Sequence, residues 1–181
     1  RIMTDKAFYR IKDTEDAWYK SFCEIYAASF PVHEQRNDRQ QEEAFEDKRY
    51  HLIIKTDDDR LVSFIAYWDF KNYVYIEHLA VNPELRGQNK GSELMEGFAE
   101  FISKIIILEI DPPVDEISRK RLKFYQKLGY EVNPYIHFHP AYNEAFTPHE
   151  LVVLSMNRQL EKSEYYDFYD DLCNIVMKGP A

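Results

Sequence analysis

Cysteine, basic charge and long apolar runs are all scarce in this chain. Its 181 residues include two cysteines, Cys23 and Cys173, neither in a CxxC pair nor in a metal-ligand spacing, which excludes a disulfide framework and a cysteine-built zinc site. Lys and Arg number 23 against 32 Asp and Glu, a formal charge of -9. Phosphate backbones are bound by clustered cations, so general nucleic-acid binding is excluded and a cationic partner is easier to attract. No apolar stretch reaches the ~20 residues needed to cross a bilayer, so no membrane association is expected, and the polar opening Arg1 to Arg10 lacks the apolar core of a signal peptide. The sequence does not begin with Met, and a cytoplasmic, reducing setting is the expectation. Internal repeats, low-complexity tracts and linkers are also absent. One domain is therefore expected over residues 1–181, with a helical extension at about 162–178.

What the chain does have is apolar surface, 45% hydrophobic residues with 14 Tyr and 12 Phe, enough to offset the ordering entropy of a folded chain. Ala7 to Lys12 reads as an opening strand. Trp18, Phe22, Ile25 and Tyr26 recur at helical spacing, and Pro31 ends or bends that helix. His33 to Arg49 is almost wholly polar, anchored by Phe45, and is expected to be an exposed helix or a mobile flap. His51 to Lys55, Leu61 to Phe70 and Tyr73 to Val81 read as an antiparallel meander with a turn at Asp57, Asp58 and Asp59. A helical stripe at Leu94, Phe98, Phe101 and Ile102 leads into Ile105 to Ile110, a run suited to a strand buried on both faces, which implies a parallel crossover. A basic helix runs from about Ser118 to Leu128 and stops at Gly129. Tyr130 to His139 and Glu150 to Met156 read as two more strands that pair. Tyr165, Phe168, Tyr169, Leu172, Ile175 and Val176 line one face of a last helix, with Glu164, Asp167, Asp170 and Asp171 on its solvated face. The expected architecture is α/β (α+β), a mixed, mostly antiparallel twisted sheet of about six to seven strands with helices on both faces.

The densest chemistry lies from Ala80 to Ser92, a segment that leaves a strand, turns tightly and opens a helix. Backbone N–H groups at a helix N-terminus have no intrahelical partner and carry the positive end of the dipole, while small residues let a phosphate approach. A diphosphate suits such a turn. Two other phosphate loops are excluded, because the chain lacks GxxxxGK followed by Ser or Thr and lacks GxGxxG with an acidic residue on the next strand.

The pattern resembles the pyrophosphate loop of the GNAT family of N-acetyltransferases, within the acyl-CoA N-acyltransferase superfamily. In that family a strand ending in Val, then Pro, Glu and Arg-Gly, leads to Arg or Gln, two residues, Gly, one residue, and Gly or Ala. Arg86 opens this signature and Gly91 closes it. Asn89 stands where the family most often has its first Gly, and Asn tolerates a left-handed backbone. A second block, Arg121 to Tyr130, resembles the family's later helix ending Phe-Tyr, three residues, Gly and an aromatic. Ser118 and Arg121 stand near points where the family often has Asn and Ala. Ser29, Phe30 and Pro31 leading to Glu34 and Arg36 resemble the passage that shapes the acceptor pocket in some members. The resemblance runs from about residue 7 to 156, and the final helix beyond it is expected to cover a sheet edge or to join a second copy in a homodimer.

The resemblance implies acetyl-CoA as cosubstrate and no metal. Leu79, Ala80 and Val81 would lie along the pantetheine arm. Arg86, Gly87, Gln88, Asn89, Lys90, Gly91 and Ser92 would hold the diphosphate, with Ser118, Phe124 and Tyr125 contributing from the later helix. The implied reaction is transfer of the acetyl group to a primary amine, on a small molecule or a peptide, by direct attack in a ternary complex. A non-catalytic acyl-CoA-binding module on the same fold is the alternative.

Direct transfer needs a neutral amine, a base or water path for its proton, a polarised thioester carbonyl and an acid for the departing thiolate. Glu109 is a carboxylate inside an apolar strand, where burial moves a carboxyl towards useful basicity; a structural hydrogen bond is an equal alternative. Glu77 and His78 are adjacent on a strand and expected on opposite faces, Glu77 with Tyr75, Leu79 and Val81. Glu77 ranks beside Glu109 as base, and His78 below. Tyr125 is the candidate acid, by its Phe-Tyr position in the later helix and because a phenol with a pKa near ~10 stays protonated at neutral pH; packing with Leu122 and Leu128 is the alternative. His137 and His139 share one face of a strand, but no third ligand stands near them in sequence, and no metal is expected. Tyr67, Tyr73, Tyr75, Tyr135 and Tyr142 either wall an acceptor cavity or pack the core.

Overall fold

The computed structural model describes residues 8–178, and the chain divides after Lys104 into two units. In the first, β1 (Tyr9–Ile11), β2 (Tyr50–Asp57), β3 (Arg60–Asp69) and β4 (Tyr73–Val81) follow one another as an antiparallel meander. The opening strand is shorter than Ala7 to Lys12, and Ala7 lies outside the described residues. The β2–β3 turn rests on Asp58 at φ 55, a left-handed conformation that a short polar side chain tolerates. Three helices accompany this sheet: α1 (Tyr19–Ser29), α2 (Asp38–Glu46) and α3 (Lys90–Phe101). Phe22 of α1 meets Phe64 at 4.8 Å, and Phe98 of α3 meets Tyr67 at 5.0 Å. Phe64 and Tyr67 point to opposite faces of β3 by strand alternation, so helices cover both faces. This explains why Leu61 to Trp68 is buried without a break.

The polar stretch His33 to Arg49 is no flap. Asn37 caps α2 through a reciprocal pair with Gln40, both bonds 2.8 Å, and the helix turns Gln41 and Ala44 inward. Gln41 Nε2 donates to the Tyr50 hydroxyl at 3.0 Å, and Phe45 packs between Tyr19 and Tyr50. A polar sequence can be buried when its side chains meet polar partners, which periodicity of apolar residues does not register.

One irregularity in β4 matters for the site. Ala66 of β3 pairs with His78, yet Tyr67 pairs with Ile76. Glu77 is therefore the extra residue of a β-bulge.

In the second unit β8 (His149–Met156) is central, antiparallel to β5 (Ile105–Ile110), β6 (Tyr130–Val132) and β7 (His137–His139). The single strand expected from Tyr130 to His139 is thus two short ones, which brings the described strands to eight. Asn133 and Pro134 make the break. Asn133 is buried, its Nδ2 donating to Ser155 Oγ at 2.8 Å while its Oδ1 accepts the Leu160 N–H at 2.7 Å, and Pro134 has no N–H to give a ladder. Helix α4 (Glu116–Lys127) begins before Ser118 because Asp115 caps it, and Gly129 follows its end at φ 98. A Cβ on Gly129 would lie 3.1 Å from Asn157 Oδ1, so glycine is required there by both conformation and space. Helix α5 (Lys162–Asp171) runs on into a wide turn at Leu172–Val176 and buries Tyr165, Phe168, Leu172 and Val176, leaving Tyr169 and Ile175 half-buried. The fold is mixed α/β with a mostly antiparallel sheet. Among the described residues no helix is long and apolar enough to cross a membrane.

Candidate active site

The strand-to-helix segment is ordered by its own polar contacts. Where β4 ends, Asn82 Nδ2 donates to the Leu61 carbonyl at 2.9 Å and its Oδ1 accepts the Glu84 N–H at 3.0 Å. This starts a short 3-10 turn over Pro83–Leu85, anchored by buried Leu85. Arg86, Gly87, Gln88 and Asn89 are then exposed, and Lys90, Gly91 and Ser92 half-buried. Gly87 at φ 82 and Asn89 at φ 61 are both left-handed, so Asn89 takes the conformation for which glycine is the usual choice. No side chain caps the N-terminus of α3, which leaves first-turn N–H groups and the positive end of the dipole facing an exposed, cationic turn. Lys90 Nζ lies 3.5 Å from Glu93 Oε1. These residues fit a diphosphate. On the approach, Leu79, Ala80 and Val81 pair with Ile65, Phe64 and Ser63 of β3.

The bulge overturns the expectation that Glu77 and His78 face apart. Both side chains turn to the face that carries Trp68. Trp68 Nε1 donates to Glu77 Oε1 at 2.9 Å, and His78 Nδ1 lies 3.8 Å from Glu77 Oε2. Glu77 consequently does not share a face with Leu79 and Val81. Its carboxylate is fully buried and held by Arg36, whose Nε and Nη2 donate at 2.9 and 3.1 Å. The guanidinium also lies 5.8 Å from the Trp68 ring centroid. Next to it, the Arg36 N–H donates to the Tyr26 hydroxyl at 2.8 Å, and His78 Nε2 lies 2.7 Å from the Glu34 carbonyl. Since a carbonyl only accepts, Nε2 carries the proton.

Glu109 is also buried, and its partners come from distant segments. Its Oε2 lies 2.6 Å from His137 Nε2, and its Oε1 lies 4.0 Å from His139 Nε2. His137 Nδ1 in turn lies 2.8 Å from the Tyr165 hydroxyl. Glu109 thus makes the hydrogen bond that was one of its two alternatives, within a cluster of polar side chains. The two histidines share a face as expected, and among the described residues no group of His, Cys, Asp and Glu could hold a metal ion.

On α4, Ser118 has a role that spacing concealed. Its N–H donates to Asp115 Oδ1 at 2.8 Å and its Oγ to the same oxygen at 2.7 Å, so the side chain belongs to the helix cap. Phe124 is half-buried and meets Tyr125 edge-on at 5.1 Å. Tyr125 is buried and meets Tyr130 edge-on at 5.7 Å, and burial pushes its phenol up to about 12. Trp68 and Tyr165 were not singled out as site residues by sequence reasoning. Arg36 was named only with the passage resembling the acceptor pocket, and His137 only as half of an alternating histidine pair.

A mixed sheet whose strand β4 leads through a glycine-containing turn into an uncapped helix offers unpartnered backbone N–H groups to an anion. Residues 16–130 match the model of the acetyltransferase (GNAT) family, and the chain belongs to that family. It is similar to YjbC of Bacillus subtilis (strain 168), named an acetyltransferase, at 28% identity over 115 residues, 61% of this chain and 54% of YjbC. The match thus spans about half the length of that relative. A solved GNAT-family protein from Bacteroides thetaiotaomicron superposes with a TM-score of 0.88 at 30% identity, covering 96% of this chain and 99% of that one. A GNAT acetyltransferase from Elizabethkingia anophelis, solved with acetyl-CoA bound, shares the fold at a TM-score of 0.59 and 12% identity, covering 82% and 95%.

Proposed function

We propose that the protein transfers the acetyl group of acetyl-CoA to a primary amine by direct attack in a ternary complex. The observation that carries this reading is the turn from Arg86 to Ser92, with left-handed Gly87 and Asn89 before an uncapped helix, inside the segment that matches the family. The backbone N–H groups of that helix start, with Arg86 and Lys90, would hold the diphosphate, and Leu79, Ala80 and Val81 would line the arm. Ser118 is given to its cap, which leaves Phe124 and Tyr125 as the contributors from α4. The family match runs from the first unit into the second.

In this reaction the ammonium of the acceptor loses a proton to a base, its nitrogen attacks the thioester carbonyl, the C–S bond breaks and the thiolate takes a proton from an acid. We assign the base to Glu109 and the acid to Tyr125. Glu77, engaged by Arg36 and Trp68, is the weaker choice of base. The formal charge of -9 favours an acceptor that is cationic at rest. Two unpaired thiols, Cys23 and Cys173, support a cytoplasmic setting.

The test is release of free coenzyme A from acetyl-CoA across a panel of primary amines, neutral aryl amines and alcohols. Amine-dependent release above hydrolysis is expected, strongest with cationic amines. Tight acetyl-CoA binding with no amine-dependent release would instead establish the non-catalytic binding module.

A further inference from the structure

His137, which meets Glu109, and Tyr165, which meets His137, lie outside the segment that matches the family. That match ends at residue 130, whereas His137 sits on β7 and Tyr165 on α5. We propose that His137 and Tyr165 are positioning residues for the transfer reaction, a relay that fixes one imidazole tautomer and so holds Glu109 ionised and oriented as proton acceptor. The proposal rests on the reading of Glu109 as base.

The donor inventory of the chain of contacts leaves little freedom. An ionised carboxylate only accepts, so the 2.6 Å contact requires the proton on His137 Nε2. In the proposed Nε2–H tautomer Nδ1 is an acceptor, and the group 2.8 Å from it, the Tyr165 hydroxyl, donates. Burial pushes the Tyr165 phenol up to about 12, so it keeps the proton it donates. Neighbouring rings hold the plane of the imidazole. His137 stacks on Phe168 at 5.7 Å and meets Tyr169 edge-on at 5.8 Å, while Tyr165 stacks on Tyr135 at 4.5 Å.

The energetics favour a functional reason for this arrangement. His137 is 0% and Glu109 5% exposed at the side chain, and desolvating such a pair costs more than filling the space with apolar residues. Hydrogen bonds to the charged form of a carboxylate lower the pH at which it ionises, against the opposite pull of burial. The relay thereby keeps a buried Glu109 available as a base at lower pH. Other titratable groups facing this cluster are His139 from the same strand, Tyr169 and Cys173 from α5 and its following turn, and, beyond His139, Tyr142 and His149.

The experiment uses the whole protein without ligand. Nitrogen NMR of the His137 ring is expected to show the neutral Nε2–H tautomer, and carbon NMR of the Glu109 carboxyl gives its titration midpoint. Tyr165→Phe keeps the ring stack and removes the donor, so the tautomers should mix and the Glu109 midpoint should rise by about one pH unit. With acetyl-CoA and a primary amine that turns over, the same variant should lose about tenfold in kcat/KM below the Glu109 midpoint and recover above it. A wild-type ring protonated on Nδ1, an unmoved Glu109 midpoint in Tyr165→Phe, or a deficit equal at all pH values would overturn the relay. Failure of the base reading is separate: it would show as wild-type turnover in Glu109→Gln, whatever the tautomer of His137.

Discussion

Removing Arg36 would strand a carboxylate inside the fold. Arg36→Met is expected to cost about 3–5 kcal/mol, because Glu77 would keep its buried charge and lose its bidentate partner. The measurement is the urea midpoint followed by Trp68 fluorescence, and Arg36→Met combined with Glu77→Leu should recover most of the loss. A single variant as stable as the wild type would show that the pair is solvated in practice. Tyr125→Phe is expected to lower turnover about tenfold or more while acetyl-CoA affinity and stability hold. Wild-type turnover would remove the acid role. Glu109 and Tyr125 stand out in the sequence because each breaks or completes a local pattern. The His137 contact does not, since 28 residues separate it from Glu109 and only pairing through β8 brings the two together.

At the scale of elements, the start of α3 is the place to test cofactor binding. Gly91→Asp should abolish acetyl-CoA binding in calorimetry on the folded variant, since a carboxylate there opposes a diphosphate in charge and space. Unchanged affinity would sink the assignment of this turn. The start of α5 carries a pH dependence. Its Glu164 makes two contacts with Arg158, 2.8 and 2.9 Å, and the guanidinium holds the carboxyl down at about 2. A depressed carboxyl adds stability above its unfolded pKa and loses it as pH falls through the folded value. Glu164→Gln should therefore cost stability at pH 7 and nothing near pH 2. The pair is surface-exposed, so screening limits the effect to roughly 1 kcal/mol or less. Denaturation at both pH values checks it, and an equal cost at each would be the contrary result. Most elements could be read from apolar spacing, as with β3 and α1. Helix α2 and the β6–β7 break could not, because Gln41 and Asn133 are polar residues buried by specific hydrogen bonds.

For the molecule as a whole, the last helix is part of the core rather than an appendage. Tyr165, Phe168, Leu172 and Val176 are buried, and at roughly 1.5–3 kcal/mol for each large apolar side chain their loss approaches the entire stability of a domain. Ending the chain before Lys162 should yield an aggregating or partly unfolded protein by circular dichroism and size exclusion. A truncated protein with full cooperative melting would refute that. The class of fold was legible because the meander and the strand-to-helix turn are local in sequence, whereas the order of strands around β8 depends on pairings between remote segments. The bulge at Glu77 has a further meaning for the length of β4. Ile76 stands opposite Tyr67 and His78 opposite Ala66, so the residue between them is surplus to the ladder. A chain one residue shorter at this point would pair without a break and keep Leu79, Ala80 and Val81 on their present faces. Position 77 is accordingly held by its side chain, the carboxylate that Arg36 and Trp68 grip, and not by the register of the strand.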